Sequence, residues 1–189
     1  MSSNESRQVA VADAIKTMRR RYKFKTSEYE SQGSIPIIDQ SRSFIAGYTD
    51  DEEKAYDGPL PVIIFGDHTC VYKFVDFRFA VGADGTQLIR PKDEEEFDIR
   101  YLYFALRNVP LEQFGYQRHF KFLKASKILW RPMDEQIEIA SVLSSYEDLI
   151  MVNLRRNDKL AELRDLLAPA LLSGDVKASE LKNDRSNVA

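Results

Sequence analysis

Cysteine and histidine are scarce in these 189 residues: one cysteine, Cys70, and two histidines, His68 and His119. A single thiol forms no internal disulfide and excludes zinc sites built from several cysteines. A reducing cytoplasm is the expected setting. No apolar run approaches the ~20 residues of a membrane helix, so no membrane partner is expected. The opening MSSNESRQVAVADAIKTMRRR lacks the apolar stretch of a secretory leader. Also missing are a GxxxxGK[ST] phosphate loop, a GxGxxG turn, an HExxH pair, a serine nucleophile elbow and an Asn-Pro-Pro-aromatic methyltransferase signature. Those gaps leave no self-sufficient active site, and the chain is read as a non-enzyme without cofactor or metal.

Nor is there an excess of one charge, with 27 Lys and Arg against 30 Asp and Glu, a net −3. The distribution is uneven, and local potential is what a phosphate feels. Between Ile99 and Arg131 the basic residues are Arg100, Arg107, Arg118, Lys121, Lys124, Lys127 and Arg131, against one acid, Glu112. Lys16, Arg19, Arg20, Arg21, Lys23 and Lys25 form a second acid-free stretch. Acids gather at Asp50–Glu53 and Asp93–Glu96.

What is abundant is apolar and aromatic: 43% hydrophobic residues, with eleven Phe, nine Tyr and one Trp. That suffices for one globular core. Val11, Ile15 and Met18 predict a short helix over 9–20. Ile35, Ile37, Ile38, Phe44 and Ile45 suggest short strands around Gly33 and Pro36, and Pro61–Phe65 and Thr69–Val81 suggest more. Asp84-Gly85 reads as a hairpin turn. Ile99, Leu102, Tyr103 and Leu106 make one helical face, ended by Val109-Pro110. Ile128–Trp130 reads as a strand.

From Met133 to Leu172 the pattern is helical without glycine. Val142, Tyr146, Leu149, Asn153, Arg156, Leu160, Leu163, Leu167 and Ala170 alternate by four and three, the seam of a coiled coil with two polar positions. Pro169 is expected to bend or end this helix early, with Ser173-Gly174 as the stop. The expected fold is α+β: a mixed domain of short strands over 1–131, a long helix over 132–174 and a polar tail over 175–189.

Two constellations carry chemistry. Asp67-His68 at a strand end has the residue types of a general base or metal ligand, and with Asp84 would make a small metal-dependent nuclease. The plainer reading is a turn in which Asp67 caps backbone amides. Tyr116-Gln117-Arg118-His119-Phe120-Lys121 with Lys124 offers donors for guanine, adenine and phosphate, together with stacking rings. A solvated amphipathic segment fits that composition equally well. Arg42 and Tyr48 form a second rank of candidate contacts.

Ile64–Thr69 (IFGDHT), Phe79–Gly85 (FAVGADG), Ile99–Leu106 (IRYLYFAL), Gly115–Leu123 (GYQRHFKFL) and Pro132–Gln136 (PMDEQ) resemble, in this order, the specificity subunits of type I restriction–modification systems. Gly33–Ile37 and Leu171–Gly174 are similar to the opening of their recognition domain and the end of their helical spacer. The resemblance spans residues 9–176. It implies a domain gripping the major groove of double-stranded DNA, with methylation carried by a modification subunit using S-adenosylmethionine and cleavage by a restriction subunit using ATP. The full pattern has two domains and two helices, whereas this sequence has one of each. A half-subunit that dimerises through the helix and a shortened gene both fit. An interaction protein whose coiled coil joins partners without DNA is the alternative.

Overall fold

The computed structural model describes residues 6–111 and 118–178. It is α+β, with nine short strands among the described residues and a long C-terminal helix. Backbone contacts divide it into two units, Met1–Ser141 and Val142–Ala189.

In the first unit, β1 (Arg7–Ala10), helix α1 (Val11–Ala14) and β2 (Ile15–Thr17) follow one another directly. The strands β3 (Ile35–Ile38), β4 (Gly47–Thr49), β5 (Val62–Gly66), β6 (Tyr72–Val75), β7 (Ala80–Val81) and β8 (Thr86–Pro91) come next. Then come α2 (Ile99–Arg107), α3 (Phe120–Ala125), β9 (Lys127–Trp130) and α4 (Met133–Ser173). Three sheets result, ordered β1-β9, β2-β8-β5-β6 and β4-β3-β7. All pairs are antiparallel except β3 with β7.

Strand β5 explains the organisation. Successive side chains of a strand face opposite ways, and every residue of β5 is buried. Ile63 and Phe65 enter a core with Leu102, Leu106, Phe120 and Leu123. Val62 and Ile64 enter a second core with Ile38, Val75, Phe79 and Leu88. Each such side chain contributes about 1.5–3 kcal/mol, so an uninterrupted apolar run is what a strand covered on both faces requires.

Helix α2 starts where Asp98 accepts the amides of Arg100 and Tyr101 at 2.9 and 2.7 Å. It buries Tyr101, Leu102, Tyr103 and Leu106, among them three of the four predicted apolar positions. The first turns of α4 belong to the same unit. Gln136 is fully buried, its side chain bonding to Glu96 O, Arg131 O and the Asp98 amide at 2.7–2.9 Å. The division between units therefore falls inside α4.

Four expectations are corrected. Residues 9–20 form only one helical turn, because their backbone pairs with β9 before it and with β8 after it. Val11 and Ile15 are buried as the periodicity required, but sheet pairing overrides a helix of that length. Phe44 and Ile45 lie outside any strand. Asp84-Gly85 is a turn, with Gly85 at φ +80°, yet β7 and β8 belong to different sheets and form no hairpin ladder. Pro169 does not end α4, which continues to Ser173, with Gly174 at φ +84° beyond it.

In the second unit α4 runs on to Ser173, and none of its residues from Val142 onward is buried. A helix of this length measures about 60 Å.

Candidate nucleic-acid interface

Loops around the end of β5 are fastened to one another by hydrogen bonds. The turn after β5 begins with Asp67, which is buried. Its amide donates to Gly85 O at 2.7 Å. Its carboxylate accepts the Phe120 amide at 2.8 Å, and its carbonyl accepts the His119 amide at 2.8 Å. One aspartate thus holds both the Ala83–Gly85 turn and the start of α3. This is the capping role expected of a turn aspartate. No group of three or more His, Cys, Asp and Glu able to hold a metal ion occurs among the described residues.

Gln40 makes the second fastening. Its Nε2 donates to Asp84 O at 2.6 Å, its Oε1 accepts the His68 amide at 3.1 Å, and its carbonyl accepts the Thr69 hydroxyl at 2.6 Å. Gly85 has φ +80°, which favours glycine, and a Cβ there would lie 2.8–2.9 Å from His68 and Gln40 side-chain atoms, displacing the Gln40 amide. Arg20 and Lys23 close the cluster. Arg20 Nη1 donates to Thr86 O at 2.5 Å, and Lys23 pairs with Asp84. The Lys23 ammonium holds the Asp84 carboxyl below its ordinary range, and Arg20 and Arg118 act in the same direction.

The predicted contacts fall on this framework unevenly. Arg118, Lys121 and Lys124 are exposed on and before α3, with Lys124 Nζ 5.0 Å from the Phe120 ring centroid. Arg42 is exposed on the loop that carries Gln40. His119 is corrected. It is 2% exposed, with Nδ1 3.0 Å from Asp67 O, so its ring faces the interior and leaves the surface set. Tyr48 sits on β4 opposite Pro36, its backbone paired with Glu30. No hydrogen bond found among the described residues joins it to the loop cluster. Tyr116 and Gln117 lie outside the described residues. Arg20 and Lys23 were visible only as part of a basic stretch, and Gln40 gave no signal at all.

On α4, Val142, Tyr146, Leu149, Leu160 and Leu163 are exposed and Leu167 is half-buried. A coiled-coil partner is not shown. The helix also exposes Leu143, Ile150, Leu154 and Leu172. At about 100° per residue these lie about 120° around the helix from the predicted seam, and Met151 and Leu166 are exposed but lie on neither face. The heptad reading does not account for them.

Fold and loops together define a mixed α+β domain with a fastened, partly basic loop face, continued by a long helix. The model of the type I restriction modification DNA specificity domain matches residues 5–162, and the chain belongs to that family. The specificity subunit of the Escherichia coli type I restriction enzyme EcoR124I/EcoR124II is 31% identical over 93 residues, 49% of this chain and 23% of that protein. The type I restriction–modification S subunit of M. genitalium superposes with a TM-score of 0.70 at 18% identity, over 93% of this chain and 48% of that one. The HsdS subunit of Thermoanaerobacter tengcongensis gives 0.51 at 14% identity, over 90% and 46%. The chain therefore spans less than half of each of these relatives. No described helix is long and apolar enough to cross a membrane.

Proposed function

We propose that the chain recognises one half of a bipartite DNA target for a type I restriction–modification complex in the cytoplasm, and that it catalyses nothing itself. On this reading, methylation belongs to a separate modification subunit using S-adenosylmethionine, and cleavage to a restriction subunit using ATP. The observation that carries the reading is the loop cluster. Loops far apart in sequence converge through Asp67, Gln40 and Asp84, and they present Arg118, Lys121 and Arg42 outward on a family fold. Exposed cations on a fixed frame suit phosphate contacts that set register and base contacts that specify. Residues 1–131 serve recognition, 132–174 serve as spacer, and 175–189 form a tail.

The helix supports a homodimer. The exposed Leu, Val and Tyr of its seam form an apolar stripe of the kind that marks an interaction surface. An isologous antiparallel pair would set two recognition domains in two-fold symmetry. Leu143, Ile150 and Leu154, away from the seam, leave apolar surface for a helix of the modification subunit beside the twin.

The test is salt dependence. Arg118→Ala with Lys121→Ala should weaken duplex binding and reduce the slope of log affinity against log salt by about 2, since two fewer counterions are released. An unchanged slope removes α3 from the interface.

A further inference from the structure

The loop between β3 and β4 is built more rigidly than a surface connection needs to be. Lys73 of β6 is 2% exposed, yet it ends in an ammonium group. That group donates to Asp39 O at 2.7 Å and to Ser43 O at 2.6 Å, bracketing the loop from within. The Asp39 carboxylate accepts the Ser41 amide at 2.8 Å through one oxygen and the Tyr29 hydroxyl at 3.0 Å through the other. Gln40 ties the same loop to Asp84 and His68. Inside this frame Arg42 points to solvent, and so does Phe44, 43% exposed. Phe44 rests on Phe77, itself 37% exposed, with ring centroids 6.2 Å apart. Phe77 lies just past the end of β6, the strand that supplies Lys73. Fixing a loop removes its ordering cost from binding, the general advantage of preorganisation. An exposed aromatic pair costs solvation unless something apolar covers it.

We propose that the Asp39–Ile45 loop is a base-reading finger, with Phe44, backed by Phe77, contacting thymine methyl groups in the major groove and Lys73 acting as its positioning residue. The occupant is duplex DNA because the exposed Arg42 stands two residues from Phe44 and the Gln40–Asp84 bond joins this loop to the turn that Lys23 also holds. A phenylalanine suits apolar contact with a thymine methyl, and an arginine suits guanine or phosphate. The inference rests on the DNA-recognition reading and adds residues to it.

The experiment selects a bound sequence from a random duplex pool with the full chain, then compares that duplex with a copy carrying uracil for thymine. Uracil removes only the methyl group. Wild type should bind the uracil copy about fourfold more weakly, and Phe44→Ala should lose a similar factor on the natural duplex and nothing further on the uracil copy. Phe77→Ala, at an exposed position, should lose part of that factor. Lys73→Met should lower the ratio of specific to random-duplex affinity while leaving random-duplex affinity and salt slope intact, and should add little to Phe44→Ala in the double variant. A merely structural lysine would lower both affinities together. Wild type indifferent to uracil at every position overturns the finger. So does a Phe44→Ala chain that binds like wild type, or one impaired only in holding the modification subunit. A wild-type chain that selects no sequence sinks the DNA reading itself, a distinct outcome.

Discussion

Up to Ser141 several polar groups that enter the interior are held by backbone partners: Lys73 on two carbonyls, Gln136 on three backbone groups, Asp67 on the amide that starts α3. From Val142 to Ser173 the situation is inverted. No residue there is buried, and the exposed side chains include Tyr146, Leu149, Ile150, Leu154, Leu160 and Leu163. The globular unit has an apolar core of its own, and the helix carries exposed apolar side chains. The contrast separates two kinds of interface. A polar loop face on a finished domain suits nucleic acid, whereas an apolar stripe suits a helix partner.

The helix half of that contrast breaks with the largest effect. Leu160 and Leu163 are 62% and 52% exposed. If they are the centre of a helix pair, Leu160→Glu with Leu163→Glu weakens self-association by about a thousandfold, from the burial of two leucines. Sedimentation velocity then shows monomer where wild type shows dimer. A wild type already monomeric at high micromolar concentration removes the pairing. The domain half is broken by Gln136→Ala, which leaves Glu96 O, Arg131 O and the Asp98 amide without this partner. It should cost about 2–4 kcal/mol in denaturant unfolding. A loss below the effect of an ordinary surface substitution would show that the start of α4 is not sealed to the domain.

A third, smaller effect sharpens the account of the interior. Burial pushes the Lys73 ammonium down to about 8, against a partial restoring pull from Asp39. Between about pH 8 and the ordinary lysine value, the unfolded chain keeps a proton that the folded chain has shed. Stability from this group therefore rises with pH across that window, by up to about 1.4 kcal/mol per unit, and is flat below it. The difference between wild-type and Lys73→Met stability curves should show this slope, and parallel curves would contradict it. Smallest of all, Asp98→Ala removes the cap of α2 and should cost about 1 kcal/mol, read as a lowered urea midpoint without loss of helix α4.

Where one element decides its own structure, the letters were enough. The run in β5, the apolar face of α2, and α4 without glycine all carry local signals that the fold keeps. Where structure depends on a distant partner, they were not. The 9–20 segment has helical spacing, but β8 and β9 claim its backbone. His119 sits among basic and aromatic residues, and it is buried because the Asp67 turn, 52 residues earlier, captures it. Lys73 lies in an aromatic strand with nothing nearby to mark it as a clamp on Asp39 and Ser43. Of the candidate site, the exposed cations Arg118, Lys121, Lys124 and Arg42 were legible as residue types. Its frame of Gln40, Asp84, Arg20 and Lys23 exists only through tertiary contacts.

The most direct test of the central claim is selection from a random duplex pool by the full chain, alone and with a type I modification subunit. The account predicts convergence on one short motif, with Arg118→Ala/Lys121→Ala lowering affinity for all duplexes and Phe44→Ala lowering it for the motif alone. A retained pool with no enriched sequence, or no retention with either preparation, would contradict it.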